Sequence, residues 1–195
     1  MLIESTLAIF LAMTAVAAPA LAAESDTPLT LSPTRLGALA LGKNAKVSEG
    51  GLKKLFPAHT VKYDIGQGDS PDFHYFEVLN LRGEVLFTIR SFIEGSAESK
   101  KTNSEVPIHL LKVYSPLIRD SYGVRVGDRV KDIIAKRGKE LAFGASHHDV
   151  YFGASRIFYN VATEREESPE NITIEDAVKG NWQIRSISWP QPAWD

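Results

Sequence analysis

The stretch from Tyr122 to Gly138 constrains the fold more than any other part of this sequence. At its start, Val124 and Val126 alternate with Arg125, a period of two that is typical of a half-buried strand. Gly127 then allows a tight turn. The first part of the stretch therefore predicts a short strand that ends in a glycine turn.

The second part of the stretch predicts an amphipathic helix. Asp128 is suited to the N-cap position, where its side chain would accept hydrogen bonds from free backbone N–H groups. Gly138 is a typical helix stop. Apolar residues fall on one face of the helix and cations in its last turn: Val130, Ile133 and Ile134, then Lys136 and Arg137. The pattern indicates a packed unit and carries no chemistry.

Hairpins dominate the rest of the chain. Arg82-Gly83 and Gly153-Ala-Ser155 each separate two apolar runs, the signature of a tight hairpin. The predicted strands are 60–65, 73–81, 84–92, 106–114, 140–143, 150–152, 156–161 and 182–189, and short helices are predicted at 51–56 and 174–178. Mostly local hairpins with two or three helices predict an α+β fold built on a mainly antiparallel sheet.

The domain prediction is a flexible lead-in over residues 23–34 and one α+β domain over residues 35–195. A weak internal repeat is one interpretation, with halves 35–112 and 113–190, and coincidence is the other. In the repeat, Gly42 would correspond to Gly127 and Leu52 to Ile133.

Residues 1–22 have the character of a signal peptide. The apolar run from Leu7 to Ala18 is too short for a membrane span, and Ala20-Leu-Ala22 offers the small residues that a signal peptidase recognises. Glu4 and the lack of Lys or Arg before the run depart from the usual pattern, and a cytosolic protein with an apolar start is the alternative. We expect export to a bacterial periplasm.

The amino-acid composition excludes several classes of site and of binding partner. The chain has no cysteine, which excludes a lipid-bearing cysteine, disulfides and thiolate sites, and its formal charge is only −2, which argues against nucleic acid. No second apolar run is long enough to span a membrane. The expected partner is an envelope protein or a cell-wall component. The oligomeric state is left open.

Two polar loops are the candidate ligand sites. The acidic, glycine-rich segment 64–72 could supply oxygen ligands to calcium, but it lacks the spacing of a calcium-binding loop and equally fits an ordinary connector. His147-His148-Asp149 fits a polar turn better than a metal site, because adjacent strand residues point to opposite faces. The alternative small-ligand or metal site, near loops 64–74 and 146–149, would comprise Asp69, Asp72, His74, His147 and Asp149.

No catalytic residue, cofactor or metal is predicted. The Gly-x-Ser-x-Gly elbow is absent, and Gly144-Ala-Ser146-His147 resembles only part of it. His59, His74 and His109 are isolated within apolar patterns and fit half-buried strand positions. The tail from Trp189 to Trp194 fits a segment that closes over the end of a sheet, or one that docks a partner.

Several short motifs resemble the RpoE-regulated lipoprotein family of bacterial envelope proteins. They are Leu55-Phe-Pro57, Ser115-Pro-x-Ile118, Tyr122-Gly-Val-x-Val-Gly-Asp128 and the segment from Asp176 to Pro190. The resemblance spans about residues 35–190 and implies a periplasm-facing protein made under envelope stress, with no assigned chemistry. This sequence lacks the cysteine that carries the family's lipid anchor.

A looser similarity is to the tandem α+β modules of small periplasmic binding proteins, such as the beta-lactamase inhibitor protein. The leading hypothesis is a non-enzymatic binding module of the envelope that uses its sheet face or its loops. The alternative is a small-ligand binder or a hydrolase.

Overall fold

A computed structural model describes residues 29–67, 71–93, 104–138, 141–145, 150–161 and 173–190 of the chain. Within these ranges there are three helices and fourteen strands. The helices are α1 (Glu49–Leu55), α2 (Val130–Arg137) and α3 (Ile174–Lys179). The longer strands are β5 (Thr60–Gly66), β6 (Phe73–Leu79), β7 (Val85–Phe92), β9 (Leu110–Val113), β11 (Ala142–Ala145), β12 (Val150–Ala154), β13 (Ile157–Val161) and β14 (Ile184–Trp189).

The longer strands form one antiparallel sheet in the order β11-β12-β13-β14-β9-β7-β6-β5. This arrangement confirms the predicted α+β class. The short strands are β1 (Thr30–Ser32), β2 (Arg35–Leu36), β3 (Leu39–Ala40), β4 (Lys46–Val47), β8 (Val106–Pro107) and β10 (Arg119–Asp120). Sequence periodicity underestimated the number of strands because these segments are too short to show alternation.

The large sheet consists of two sets of four strands that are arranged symmetrically about its middle. From one edge, β5, β6 and β7 lead to β9; from the other, β11, β12 and β13 lead to β14, and β9 and β14 pair in the middle. A helix precedes the first strand of each set, α1 before β5 and α2 before β11. The predicted repeat of halves 35–112 and 113–190 stays a prediction. Its proposed glycine pair differs in conformation, because Gly127 has a φ of 89° and Gly42 is not among the glycines with positive φ.

Two predictions about the stretch that contains α2 are wrong. Val124 and Val126 do not form a strand; the carboxylate of Asp120 accepts the N–H groups of Tyr122 and Val124, at 2.9 and 2.8 Å, and closes a turn. The N-cap is Arg129, whose N–H donates to Asp132 Oδ2 at 3.1 Å.

Asp128 lies just before the cap and closes a separate turn. Its Oδ2 accepts the N–H of Arg125 at 3.2 Å and binds Lys136 Nζ at 2.7 Å. The side chain therefore joins the turn to the last part of α2. The helix itself matches the prediction, with Ile133 fully buried and Gly138 as its C-cap.

The predicted strand 106–114 is split into β8 and β9, which lie in different sheets, and the other local predictions hold with small shifts. Helix α1 begins two residues earlier than expected because Ser48 Oγ accepts the N–H of Gly51 at 3.2 Å and caps it. The segment 36–42 forms two short strands joined at Gly37, whose φ is 54°. Both predicted hairpins are present, β6–β7 and β12–β13.

All three helices pack on one face of the sheet, which we call the core face. Leu52 of α1, Ile133 of α2 and Ala177 of α3 share one hydrophobic cluster with Phe76, Ile89, Leu111 and Ile187 of the sheet. The opposite face is called the outer face here. Within the described ranges, no helix has the length and apolar character needed to cross a bilayer.

Candidate binding surface

Three of the five residues of the predicted ligand site lie outside the described residues: Asp69, His147 and Asp149. Asp72 precedes β6, and its carbonyl accepts the N–H of Ile93 at 2.8 Å. His74 lies on β6 and is only 3% exposed. The convergence of these five residues stays a prediction.

The surroundings of His74 are those of a core residue. Its Nδ1 lies 2.9 Å from the hydroxyl of Tyr63, and the two rings are in contact. Ser91 lies directly opposite on β7 but its hydroxyl has no hydrogen-bond partner among the described residues. A nucleophile and a base should be hydrogen-bonded, so His74 and Ser91 do not form such a pair.

Among the described residues, a cluster of the aromatic and arginine side chains that are common in binding surfaces lies elsewhere, on the outer face at β6 and β7. We call Phe73, Tyr75, Arg90, Phe92 and His109 the aromatic–arginine cluster. Side chains alternate along a strand, so Phe73 and Tyr75 lie on the face opposite the buried side chain of Phe76. None of the five belongs to the hydrophobic core cluster.

Arg90 holds the centre of the cluster. Its guanidinium carbon is 4.7 Å from the ring centroid of Phe73 and 5.8 Å from that of Tyr75. These are cation–π distances, and the two rings meet edge to face at 6.0 Å. The contacts fix the flat guanidinium in place beside two half-buried rings.

Phe92 and His109 extend the cluster at the end of β7. The rings stack with centroids 5.3 Å apart, and His109 Nδ1 accepts the N–H of Phe92 at 2.8 Å. This bond fixes the tautomer of the neutral ring, because an accepting Nδ1 leaves the proton on Nε2. Phe92 is 40% exposed, so a large apolar ring faces solvent next to a half-buried histidine.

The electrostatics beside the cluster are mixed. Burial raises the pKa of Tyr75, and the charge of Glu77 raises it further, while the bond to Thr88 and the charge of Arg90 act against the shift. Glu77, Thr88, Lys112 and Ser188 form one row across four neighbouring strands. On the outer face, the acidic Glu77 and the basic Arg90 and Lys112 therefore lie near the aromatic rings of the cluster.

Small polar side chains continue the outer face over β13 and β14. Ser188 Oγ donates to Asn160 Oδ1 at 2.7 Å, and both residues are almost completely buried. Ser186, opposite Asn160, is also fully buried, and its hydroxyl has no partner within the described ranges.

A second polar network ties α2 to the sheet. Arg137 donates to the Tyr159 hydroxyl at 3.0 Å and to the carbonyl of Ala154 at 3.0 Å, and its guanidinium lies 4.0 Å from the ring centroid of Tyr122. Tyr159 in turn donates a short hydrogen bond to Asp120. Burial, together with the charge of Asp120, raises the pKa of Tyr159 strongly.

That network is structural in character. Tyr159 and Asp120 are buried, and the arginine satisfies backbone carbonyls at a hairpin turn.

None of these residues lines the groove of about 590 Å³ at the turn end of the β6–β7 hairpin. The groove is lined by His59, Arg82, Glu84, Tyr114 and Leu117 among others, and it contains none of the predicted site residues. Among the described residues, no three or more histidines and acids come together as a metal site would require.

The candidate residues that sequence reasoning missed carried only a weak signal. Phe73 and Tyr75 were visible as alternate positions of a predicted strand. Their contact with Arg90 depends on the register between β6 and β7, in which Tyr75 lies opposite Arg90. His59 and His109 do not lie within strands, because a turn follows α1 and His109 precedes β9.

Comparisons with known proteins support the fold alone. No protein-family model matches the chain, and no curated protein matches it either. Among solved structures, the chain is similar to the uncharacterized protein yfeY from Escherichia coli. The TM-score is 0.59 at 17% sequence identity, and the match covers 83% of this chain and 99% of that one. At this identity the similarity defines an α+β architecture shared with a bacterial protein, and it assigns no activity.

Proposed function

We propose that this protein is an exported, non-enzymatic binding module of the bacterial envelope, and that it docks a partner protein on the aromatic–arginine cluster. We also propose kinship with the RpoE-regulated lipoprotein family. The motifs between Leu55 and Pro190 support that kinship, and so does a fold shared with a protein from Escherichia coli. The character of residues 1–22 supports export to the periplasm.

The observation that carries the binding proposal is the position of Arg90 between two aromatic rings on the outer face. Tyrosine, phenylalanine and arginine are enriched at the centres of protein interfaces, where they supply large contact areas at a small cost in entropy. The guanidinium is held by Phe73 and Tyr75 before any partner arrives. Less conformational freedom is therefore lost on binding.

The surroundings of the cluster fit a protein partner better than a buried small ligand. A site for a small molecule usually encloses most of its ligand in a concave pocket. The cluster instead lies on a sheet face, with Phe92 exposed at its edge and Glu77 and Lys112 beside it. A centre of aromatic residues and arginine with a polar, charged rim is the usual anatomy of a protein–protein interface.

Site-specific photo-crosslinking in living cells tests the docking proposal. A photoreactive phenylalanine analogue at Phe92 should yield a discrete crosslinked protein, and the yield should fall when Arg90 is also replaced by alanine. The same analogue at Leu117, which is exposed at the other end of the sheet, is the matched control. Equal crosslinking from both positions, or none from Phe92 under envelope stress, would contradict docking on the cluster.

Export is tested separately. Mass spectrometry of the protein from a periplasmic fraction should show an N-terminus at Ala23, which corresponds to cleavage after Ala22. An intact Met1 in the cytosolic fraction would contradict export. It would not decide whether the protein docks a partner on the cluster, which the crosslinking experiment tests separately.

A further inference from the structure

We propose that two copies of this protein associate through strand β5, which pairs antiparallel with the same strand of the second copy. This inference does not depend on the proposed function. Strand β5 is at one end of the eight-stranded order, and no described strand pairs with its other edge. It is seven residues long, whereas many proteins keep their edge strands very short and so limit pairing with another chain.

The hydrogen-bond pattern shows which backbone groups of β5 point outwards. Ile93 N–H donates to the carbonyl of Asp72, so the even-numbered residues of β6 bond towards β7 and the odd-numbered ones towards β5. Their partners on β5 are the even-numbered residues, from Thr60 to Gly66. The N–H and C=O groups of Val61, Tyr63 and Ile65 therefore point away from the sheet.

A side chain provides independent support for this assignment. Asp64 Oδ1 accepts the N–H of Ile65 at 2.8 Å. The Ile65 N–H is thus not used by the ladder with β6. In the free chain this bond satisfies an edge donor.

The charges on β5 select a second copy as the occupant. Lys62 and Asp64 are both exposed, lie on the same face and flank Tyr63 on either side. When Tyr63 pairs with Tyr63 of the second copy, each Lys62 lies directly opposite an Asp64, and Val61 lies opposite Ile65. The arrangement is self-complementary, as a two-fold interface requires.

The same register favours close contact between the charges. Because Val61, Tyr63 and Ile65 would form the hydrogen-bonded pairs, Lys62 and Asp64 occupy a non-hydrogen-bonded pair. Cα atoms in such pairs are about 4.5 Å apart, and their side chains are closest. Asp64 would exchange its bond with the Ile65 N–H for a bond with the lysine, and the N–H would bond to the carbonyl of Val61 in the second copy.

The first test is sedimentation equilibrium of the purified protein. An interface of one short strand pair is small, so we expect reversible dimerisation in the range of about 10 µM to 1 mM. Lys62→Glu places like charges opposite each other twice in the dimer and should weaken association about tenfold. The double variant Lys62→Glu/Asp64→Lys restores opposite charges and should restore association, and Lys131→Glu on α2 is the matched control.

The second test reports the register directly. Since the chain has no cysteine, Lys62→Cys and Asp64→Cys variants each carry one thiol. A mixture of the two should form a disulfide-linked dimer on mild oxidation, because the two positions lie opposite each other at a distance that a disulfide can span. Either variant alone should crosslink much less. A protein that stays monomeric up to about 1 mM, or crosslinking that is equal in the mixture and in each variant alone, would overturn the proposal.

Discussion

The hydroxyl of Tyr159 donates a hydrogen bond to the carboxylate of Asp120, thirty-nine residues earlier in the chain. Asp120 belongs to β10, which pairs with β1, and Tyr159 belongs to β13 of the large sheet. One buried bond therefore joins the large sheet to a second, four-stranded sheet in the order β10-β1-β2-β3. Arg137 completes the arrangement from the end of α2.

Replacing Tyr159 with phenylalanine should lower the free energy of unfolding by about 1–3 kcal/mol, because a buried carboxylate loses its hydroxyl donor. Urea unfolding at neutral pH measures the loss. Tyr122→Phe is the matched control: it keeps the ring under Arg137 and should cost less than about 0.5 kcal/mol. Equal losses in both variants would mean that the bond to Asp120 contributes little.

The same tyrosine should make the protein sensitive to alkali. Burial beside Asp120 raises the pKa of Tyr159 above its value in the unfolded chain, which is about 10. The stabilisation is complete below that value and declines as the pH rises through it, because the unfolded chain loses the proton first. The decline in unfolding free energy between about pH 9 and 11 should be steeper in the natural protein than in Tyr159→Phe. Parallel curves would contradict this prediction.

Asp128 should contribute stability that is lost in acid. Burial, the largest single influence, acts to raise the pKa of Asp128, but the bond and charge of Lys136 together with the N–H and charge of Arg125 outweigh it, and the net pKa is lowered. The contribution is present above the unfolded value of about 3.9 and disappears as the pH falls through the lower folded value.

Asp128→Asn should therefore lose about 0.5–1 kcal/mol at pH 7 and show a smaller difference in stability between pH 7 and pH 3. Lys136→Met should behave in the same way, whereas Lys131→Met, an exposed lysine of the same helix, should not. An unchanged acid dependence in Asp128→Asn would contradict the role of the Lys136 bond.

Ile133 is the residue through which α2 holds the core. It is fully buried, so Ile133→Ala should cost about 2–5 kcal/mol from lost burial and the cavity left behind. Chemical unfolding with an unchanged denaturant slope measures this loss. A loss below about 1 kcal/mol would show that the site collapses to fill the space.

The parts of the fold that depend on neighbouring residues could be predicted from the sequence. Alternation along β6 and β7, the turn at Gly83 and the apolar face of α2 are all local signals. Asp128 shows the limit of such signals, because two acids, Asp128 and Asp132, lie near the helix start and only the folded backbone selects Asp132 as the one that serves the cap.

The candidate surface could not be predicted because it depends on register. Phe73, Arg90 and His109 come from separate segments, and their contact follows from which residues pair across β6, β7 and β9. The network of Asp120, Tyr159 and Arg137 is equally non-local. Short segments such as β4 and β10 are stabilised by partners distant in the chain, β8 and β1, and show no period of their own.

The central place of β14 has a consequence for biogenesis. This strand is the last in the described part of the chain, yet it fills the gap between β13 and β9. The two sets of strands can form without β14, but they become one continuous layer only once β14 has been added between them. A premature stop before Ile184 would leave one four-stranded piece and one three-stranded piece. Each piece would have a new unpaired edge strand, and we expect quality-control proteases to degrade such a product.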